Sequence, residues 1–344
     1  MGVAFKDLII SKEIELNFLE NKIVVLDAYN VLYQFLTTIR SRDGSYLTDS
    51  KGNVTSHMVG LFSRTTNLIQ KNIKLAFVFD GKSPELKQKT NEQRKALKLE
   101  AERKFLEAQK REDEEEMKKY AARTTRLTEQ MINDAKSLIY FLGLPVIQAP
   151  SEGEAQASYM VKKGDGFAVG SQDFDSLVNG ATKLVRNLSI AGKRKKAKIM
   201  GYETVKPEII DLSDNLNNLG IDQNQLIALA MIIGTDYNPG GIKGIGPKTA
   251  LKLVKEYKTN FKFLFNEVKW NEHFDFSWEE VFDLIKNMPV TDDYNLEWKD
   301  VQKNKIIEML VDKHDFSLKR VDSTLEKLDK GSSKKQQTGL KGFF

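Results

Sequence analysis

The chain has 344 residues, of which 53 are Lys or Arg and 48 are Asp or Glu, so its net charge is only +5. An excess this small does not by itself indicate a nucleic-acid partner, because the location of charge decides binding more than its sum. The absence of cysteine excludes disulfides, iron–sulfur clusters, thiolate zinc sites and thiol catalysis. The three histidines are scattered, so a bound metal must be held by carboxylates, which favours Mg²⁺ or Mn²⁺.

No apolar run approaches the ~20 residues of a membrane span, and the first residues form no signal peptide. We therefore expect an intracellular protein without a membrane partner. The length favours about two domains.

Four short apolar runs, β-branched or aromatic, predict buried strands. They are Ile23–Leu26, Leu75–Phe79, Pro145–Ile147 and Phe167–Val169. Longer amphipathic stretches separate them and predict helices, among them Ser56–Gln70 and Leu127–Leu142. This strand–helix–strand alternation predicts an α/β fold with a mainly parallel sheet.

The amino-acid composition changes between Lys87 and Arg126, where Lys, Arg, Glu and Gln dominate and apolar residues are few. This composition predicts a solvated helical insertion. From Thr204 onwards the pattern predicts only helices, including Gln225–Ile233 and Pro247–Lys258. The polar, Ser- and Lys-rich stretch that begins at Gly331 predicts a flexible tail.

Acidic residues follow each of the four predicted strands and the helix that ends near Ile233. The carboxyl ends of parallel strands meet at one edge of a sheet, so these side chains should converge there. Such a cluster would repel itself unless cations compensate it, and two divalent ions ~3.5–4 Å apart can activate water for phosphoryl chemistry. The predicted ligands are Asp27, Asp80, Glu152, Glu154, Asp173, Asp175 and Asp236.

A structural interpretation of these acidic residues competes with the metal site. A single Asp after a strand is usually a turn former or a helix cap. Glu154 also completes a capping box with Ser151. Four strand ends that all carry acidic residues are nevertheless difficult to explain by capping alone.

The segment from Gly241 to Leu251 has the pattern of a helix–hairpin–helix turn. Pro247 suits a first helical position, and Gly244 and Gly246 permit close backbone approach to a phosphate, beside the charge of Lys248. The alternative is an ordinary Gly-rich connector.

Two further features could either bind DNA or have a purely structural role. The basic run that contains Lys87 and Arg94 follows Asp80 closely, and it either contacts phosphate or forms a solvated helical hairpin. Tyr33 either stacks on a base or belongs to the core.

Several of these blocks, in this order, resemble flap endonucleases, which belong to the structure-specific 5′ nucleases. The resemblance covers nearly the whole chain. It rests on Asp27-Ala-Tyr-Asn, Thr55-Ser-His, Val78-Phe-Asp80-Gly-Lys, Ala149-Pro-Ser-Glu152-Gly-Glu154-Ala, Gln172-Asp173-Phe-Asp175, Gly234-Thr-Asp236-Tyr and Gly244-Ile-Gly246-Pro-Lys248.

The resemblance implies a PIN-like nuclease core whose seven carboxylates bind two Mg²⁺ ions, for which Mn²⁺ can substitute. It implies a helical arch through which a 5′ single strand threads, with Lys87 and Arg94 at the scissile phosphate. It also implies a monovalent cation at the helix–hairpin–helix turn, near Ile242 and Ile245. The implied DNA contacts are Tyr33, Arg40, Arg64, Glu152, Gly234, Asp236, Gly244, Gly246 and Lys248.

The C-terminal segment resembles the peptide with which the family docks on the replication sliding clamp. Its implied contacts are Gln337, Leu340, Phe343 and Phe344. The chain departs from eukaryotic members at Leu97, where an arch Arg is usual, and it stops at Phe344 without a basic tail. The absence of that tail favours an archaeal-type, cytoplasmic enzyme associated with the chromosome; a eukaryotic source would place it in the nucleus. Leu97 leaves only part of the family's arch contacts with phosphate in place.

The expected organisation is a nuclease region at 1–98, the rest of the arch at 99–126, and a second nuclease region with the hairpin at 127–258. A helical region at 259–330 and a flexible clamp-binding tail at 331–344 follow. We expect a monomeric 5′-flap endonuclease with 5′–3′ exonuclease activity, acting in Okazaki fragment maturation and long-patch base excision repair. The alternatives are a sister exonuclease or excision-repair nuclease, and a non-catalytic adaptor that binds DNA structures.

Overall fold

The computed structural model describes residues 3–41, 43–111, 113–190, 192–195 and 202–340. Within them, seven strands form one sheet in the order β1-β9-β6-β5-β2-β3-β4, and β7 and β8 form a separate hairpin. The strands are β1 Lys12–Glu13, β2 Ile23–Asp27, β3 Lys74–Phe79, β4 Val146–Gln148, β5 Ala168–Gly170, β6 Lys183–Arg186, β7 Gly192–Lys195, β8 Tyr202–Val205 and β9 Glu208–Asp211.

The five central strands β6, β5, β2, β3 and β4 are parallel, as predicted. Their register places Val24 opposite Leu75 and Ala168. Within this sheet, β9 pairs antiparallel with β6 and with the edge strand β1. The four predicted strands are therefore confirmed to within one or two residues, and their carboxyl ends share one edge.

Helices cover both faces of this sheet. They are α1 Ala28–Thr38, α2 Ser56–Gln70, α3 Gln88–Lys110, α4 Glu114–Ala121, α5 Glu129–Phe141, α6 Gly153–Lys163, α7 Asp175–Val178, α8 Leu212–Leu219, α9 Gln223–Ile233, α10 Pro247–Tyr257, α11 Phe261–Glu267, α12 Trp270–His273, α13 Trp278–Lys286, α14 Lys303–Ile307 and α15 Leu318–Leu340. Short 3-10 turns occupy Leu16–Leu19, Glu85–Lys87, Ala122–Thr124 and Leu188–Ile190, and a π-helical turn occupies Glu308–Asp312.

The alternation of side chains along the strands produces two cores. In β3, Leu75, Phe77 and Phe79 pack against α1, α2 and α5, whereas Ala76 and Val78 pack toward α6 and α9. Because both faces of the sheet are buried, its strands are continuously apolar, and such runs predict buried strands from the sequence alone.

The C-terminal helices contribute to both cores. Trp270 is buried with α11 and α13 on the α6 face, and Leu325 of α15 is buried on the α2 face. Between them, the Trp298 indole donates a hydrogen bond to the Leu75 carbonyl (2.9 Å). The last third of the chain therefore holds the sheet rigidly from both sides.

The charged insertion is helical, as predicted. It consists of α3 and α4, and its buried side chains include Ala101, Ala108 and Met117. Ion pairs run along its surface, for example Lys104 with Glu100. Among the described residues, no helix has both the length and the apolar character needed to cross a bilayer.

One expectation differs from the structure. The prediction of helices alone after Thr204 is wrong, because β9 pairs between β1 and β6. Its apolar signal is only the pair Ile209-Ile210, too short to show a period, and only its neighbours in the sheet define it as a strand. The backbone of α15 continues through Gly331 to Leu340. The flexibility expected of that stretch stays a prediction.

Candidate active site

All seven predicted carboxylates line a single cleft of about 1080 Å³ between the carboxyl edge of the sheet and the charged insertion. Lys87, Arg94 and Tyr33 line the same cleft. The prediction that these side chains converge is therefore confirmed. The remaining geometry decides what they can do.

The first two carboxylates are fixed by backbone donors. Asp27 ends β2 and caps α1, and its Oδ1 accepts the Asn30 N–H (3.1 Å). Asp80 follows β3, and its Oδ1 accepts the Gly153 N–H (2.8 Å). A Cβ at residue 153 would lie 2.7 Å from this oxygen, so only glycine permits the approach.

The capping box proposed for Ser151 and Glu154 is not formed. The Ser151 hydroxyl donates to the Lys82 carbonyl (3.1 Å) instead, and α6 begins without a side-chain cap. Glu154 faces the end of β5, where its Oε1 accepts a hydrogen bond from Ser171 Oγ (3.0 Å). The structural alternative for Glu154 is therefore wrong.

Asn30 connects the site in a way that the sequence motif did not reveal. Its side-chain Nδ2 donates to Asp173 Oδ2 (2.9 Å), and its Oδ1 accepts the Gln172 N–H (3.2 Å). With its own N–H on Asp27, it joins α1 to the loop after β5. In the sequence, the role of Asn30 is indicated only by its position three residues after Asp27, at the end of a strand.

The N-terminal segment contacts one carboxylate of the cluster. The Val3 N–H donates to Asp175 Oδ1 (2.7 Å), which partly offsets the burial of that carboxylate. The two residues of this contact are 172 positions apart, so no local sequence pattern could predict it.

Burial and mutual repulsion raise the pKa of several of these carboxyls. Burial, followed by the charge of Asp80, raises the pKa of Asp27 to about 8. Burial, followed by the charge of Glu152, raises the pKa of Asp80 to about 6. Burial likewise raises the pKa of Asp175 to about 6, and that of Glu154 well above its usual value. The cluster therefore resists full ionisation without added positive charge.

Two cations of the insertion partly supply that charge. Lys87 contacts Glu152 and lies 3.4 Å from Asp236 Oδ2, and Arg94 contacts Asp236 Oδ1. Burial alone would lower the pKa of Lys87, but attraction to Glu152 and Asp236 outweighs it and raises that pKa. The pKa of Asp236, which burial would raise, is lowered by Lys87 and Arg94.

The donor set fits divalent cations in charge and chemistry. It offers only oxygen ligands, and the raised pKa values show that the cluster lacks positive charge. Among the residues that the structure describes, no three of these side chains already form a compact ligand set. Protein donors such as Gly153, Asn30 and Lys87 hold them instead.

Tyr33 projects from α1 into the cleft, and Lys98 lies 5.0 Å from its ring centroid. Leu97 lines the cleft beside it and is 66% exposed. Tyr33 is therefore placed for contact with a ligand in the cleft and does not belong to either core.

The two other basic positions do not line the cleft. Arg40 donates to the carbonyls of Leu36 and Gly44 (2.9 Å each) and to Thr125 Oγ1 (2.8 Å), and it stacks on Tyr46. These contacts tie α1 to the end of the insertion. Arg64 is exposed on α2. A DNA contact by either residue stays a prediction.

The hairpin between α9 and α10 has the predicted geometry. Ile242 is buried and anchors the turn, and Pro247 is the first residue of α10 after the cap Gly246. Gly244 has a φ of +87°, and space beyond its Cα is open. Lys248 is exposed in the first turn of α10. The backbone of the turn is thus accessible to a phosphate.

The remaining predicted residues lie elsewhere. Gly234, with a φ of +118°, ends α9 two residues before Asp236. Gln337 and Leu340 belong to the backbone of α15, and Phe343 and Phe344 lie outside the described residues.

Comparison with known proteins places these features in a family context. The XPG N-terminal domain model matches residues 3–101, and the XPG I-region model matches residues 143–236. Flap endonuclease 1 of Thermofilum pendens is 50% identical, with 100% of this chain and 99% of the relative covered.

Solved structures are similar over the same length. Flap endonuclease-1 from Methanococcus jannaschii has a TM-score of 0.75 and 43% identity, covering 97% of this chain and 100% of that one. The catalytic core of Rad2 in complex with DNA substrate has a TM-score of 0.70 and 25% identity, covering 95% of this chain and 100% of that one.

Asp27→Asn should stabilise the metal-free protein at alkaline pH. The folded pKa of Asp27 is about 8 against an ordinary 3.8, so the folded state holds an extra proton between these values. Stability is consequently lost as pH rises through that window. Asparagine keeps the Oδ1 that accepts the Asn30 N–H. In EDTA, we expect a melting temperature a few degrees above wild type at about pH 9 and little difference at about pH 4.

Asp312→Asn is the matched control, because it removes an exposed carboxylate outside the cleft. It should leave the melting temperature unchanged at both pH values. Equal melting temperatures for wild type and Asp27→Asn at the alkaline pH would show that the ionised Asp27 carboxylate does not destabilise the folded protein.

Proposed function

The chain belongs to the flap endonuclease family, and we propose that it cleaves 5′ flaps with the carboxylate cleft as its active site. The observation that carries this assignment is the convergence of seven carboxylates, Lys87 and Arg94 in one cleft under the helical arch formed by α3 and α4. Phosphodiester hydrolysis requires positive charge at the phosphate and an activated water. The cleft is built from the residue types that supply both.

We propose two Mg²⁺ ions as the cofactor, with Mn²⁺ able to substitute. When bound, such ions lower the pKa of an attacking water and offset charge on the phosphate. The side chains that would hold them share the carboxyl edge of the sheet and the end of α9. They are Asp27, Asp80, Glu152, Glu154, Asp173, Asp175 and Asp236.

The other residues of the cleft would position and neutralise the substrate. Lys87 and Arg94 carry donors that can move from carboxylate to phosphate oxygens as charge develops there. Tyr33 offers a ring face to the first unpaired base. The first turn of α10 and Lys248 would hold the phosphates of the duplex, and a monovalent cation near Ile242 and Ile245 would assist them.

We propose that the enzyme acts as a monomer, with 5′–3′ exonuclease activity, in Okazaki fragment maturation and long-patch base excision repair. Specificity would come from the shape of the junction and the passage under the arch, with little base readout. A peptide formed by Gln337, Leu340, Phe343 and Phe344 would dock on the replication sliding clamp. The expected location is the cytoplasm of an archaeal-type cell, at the chromosome.

Asp173→Asn and Asp80→Asn should each lower the cleavage of a labelled double-flap duplex in Mg²⁺ by about a hundredfold or more. Both substitutions keep an oxygen for the present hydrogen bonds with Asn30 and Gly153 while removing a ligand charge. Binding of the same DNA should persist, because it depends mainly on the hairpin and basic side chains.

Mapping the products distinguishes the released flap from stepwise exonuclease fragments, and Asp312→Asn serves as the charge control. Turnover like that of wild type in either cleft variant at saturating Mg²⁺ would remove these carboxylates from the metal site. Products made only of mononucleotides would identify a sister exonuclease.

Lys87→Ala and Arg94→Ala should lower the single-turnover rate by about a hundredfold and weaken DNA binding much less, because both act on charge that develops at the scissile phosphate. Lys110→Ala, at the exposed far end of α3, removes the same charge outside the cleft and should change neither quantity. Weaker binding with unchanged chemistry would make Lys87 and Arg94 anchoring residues only.

Phe343→Ala combined with Phe344→Ala should abolish stimulation by the cognate clamp and leave clamp-free cleavage unchanged. Two aromatic anchors leaving a pocket should cost on the order of a hundredfold in clamp affinity. Both quantities can be measured with one flap substrate and increasing clamp concentration. Loss of basal cleavage would show instead that the tail packs on the nuclease body, and intact stimulation would place the docking peptide elsewhere.

A further inference from the structure

The base of the arch is held on the carboxylate cluster by three side chains from successive turns. Lys87 contacts Glu152 and Asp236, and Arg94 contacts Asp236. Between them, Thr90 Oγ1 donates to the Asp236 carbonyl (2.7 Å). Positions 87, 90 and 94 follow the i, i+3, i+7 spacing of one helix face. The base of the arch therefore docks along a continuous stripe.

The contacts of Lys87 are largely shielded from solvent, whereas the Arg94 side chain is 36% exposed. The side chains of Lys87 and Glu152 are each 14% exposed, and that of Asp236 is 17% exposed. Ion pairs on an open surface contribute little, whereas a pair in this position is screened weakly by water and salt. The Lys87 contacts should therefore contribute more than the Arg94 contact to holding the base of the arch.

The same carboxylates are assigned to the metal site. A carboxylate oxygen that contacts an ammonium or guanidinium group binds a divalent ion less strongly, because the two cations repel each other. Both oxygens of Asp236 have such contacts, Oδ1 with Arg94 and Oδ2 with Lys87, and Lys87 also contacts Oε2 of Glu152. Binding of a divalent ion at these carboxylates should therefore weaken the contacts of Lys87 and Arg94.

We propose that Lys87 and Arg94 form a latch that competes with divalent cations for Glu152 and Asp236, so that cation binding releases the base of the arch. The proposal rests on the metal site proposed above. Release frees the two side chains to take phosphate oxygens, so metal loading and opening of the arch for DNA become one coupled step.

The latch can be tested by titrating Mn²⁺ into the full chain without DNA and counting bound ions by electron paramagnetic resonance. Lys87→Ala should bind Mn²⁺ about tenfold more tightly than wild type, because the competitor is gone. Arg94→Gln should shift the affinity in the same direction. Lys98→Ala is the matched control, since it removes one positive charge from the same cleft, where Lys98 lies over Tyr33.

The wild-type protein provides a second readout that needs no substitution. Hydrogen exchange of the backbone amides in the first turns of α3 should become faster when Mg²⁺ is added without DNA. Slower or unchanged exchange there would overturn the release of the arch. Equal Mn²⁺ affinities for Lys87→Ala and Lys98→Ala would overturn the competition, because they would reveal only a general effect of charge.

Failure of the latch and failure of the metal site give different results. A wild-type chain that binds no Mn²⁺ would remove the metal site, and the latch with it. If the wild-type chain binds Mn²⁺ and Lys87→Ala binds it no more tightly, the metal site stands and only the latch is disproved. Weaker binding in Lys87→Ala would also overturn it, since Lys87 would then support the ligands.

Discussion

Repulsion among buried carboxylates at one edge of the sheet is the constraint on which the rest of this structure depends. Burial and neighbouring charge together raise the pKa of Asp27 to about 8, so the cluster is unfavourable as it stands. Backbone N–H groups of Gly153 and Val3, the Asn30 amide and the cations of the arch each offset part of this cost. The repulsion that lowers the stability of the folded protein also makes the site bind positive charge strongly.

The order of elements along the chain makes that compensation possible. The arch leaves the sheet directly after β3, so Lys87 follows Asp80 by one short turn and returns over the same edge. Thr125, where the arch ends, is fastened to α1 through Arg40. Because the arch starts and finishes at the site and lies outside both cores, its cations could exchange carboxylate for phosphate partners without disturbing the packing on either side of the sheet.

Helix α9 relates the cleft to the hairpin. It is buried along its length in the core, Asp236 follows its end, and the hairpin turns back so that the Ile242 N–H donates to the Ile232 carbonyl (2.8 Å). A duplex phosphate held at the first turn of α10 would therefore be at a fixed position relative to the carboxylates. Such a fixed distance between duplex and cleft would let the enzyme locate a junction without reading bases.

The sequence by itself determined the parallel sheet, the main helices, the solvated insertion and the seven carboxylates, because buried strands and strand-end acids leave local patterns. It did not determine β9, since two isoleucines show no period, or the roles of Asn30 and Arg40. It also left open whether Glu154 caps α6. Only the tertiary structure decided these points, because each depends on a partner far away in the chain, such as Ser171 for Glu154 or Asp173 for Asn30, and a contact between distant residues leaves no spacing to read.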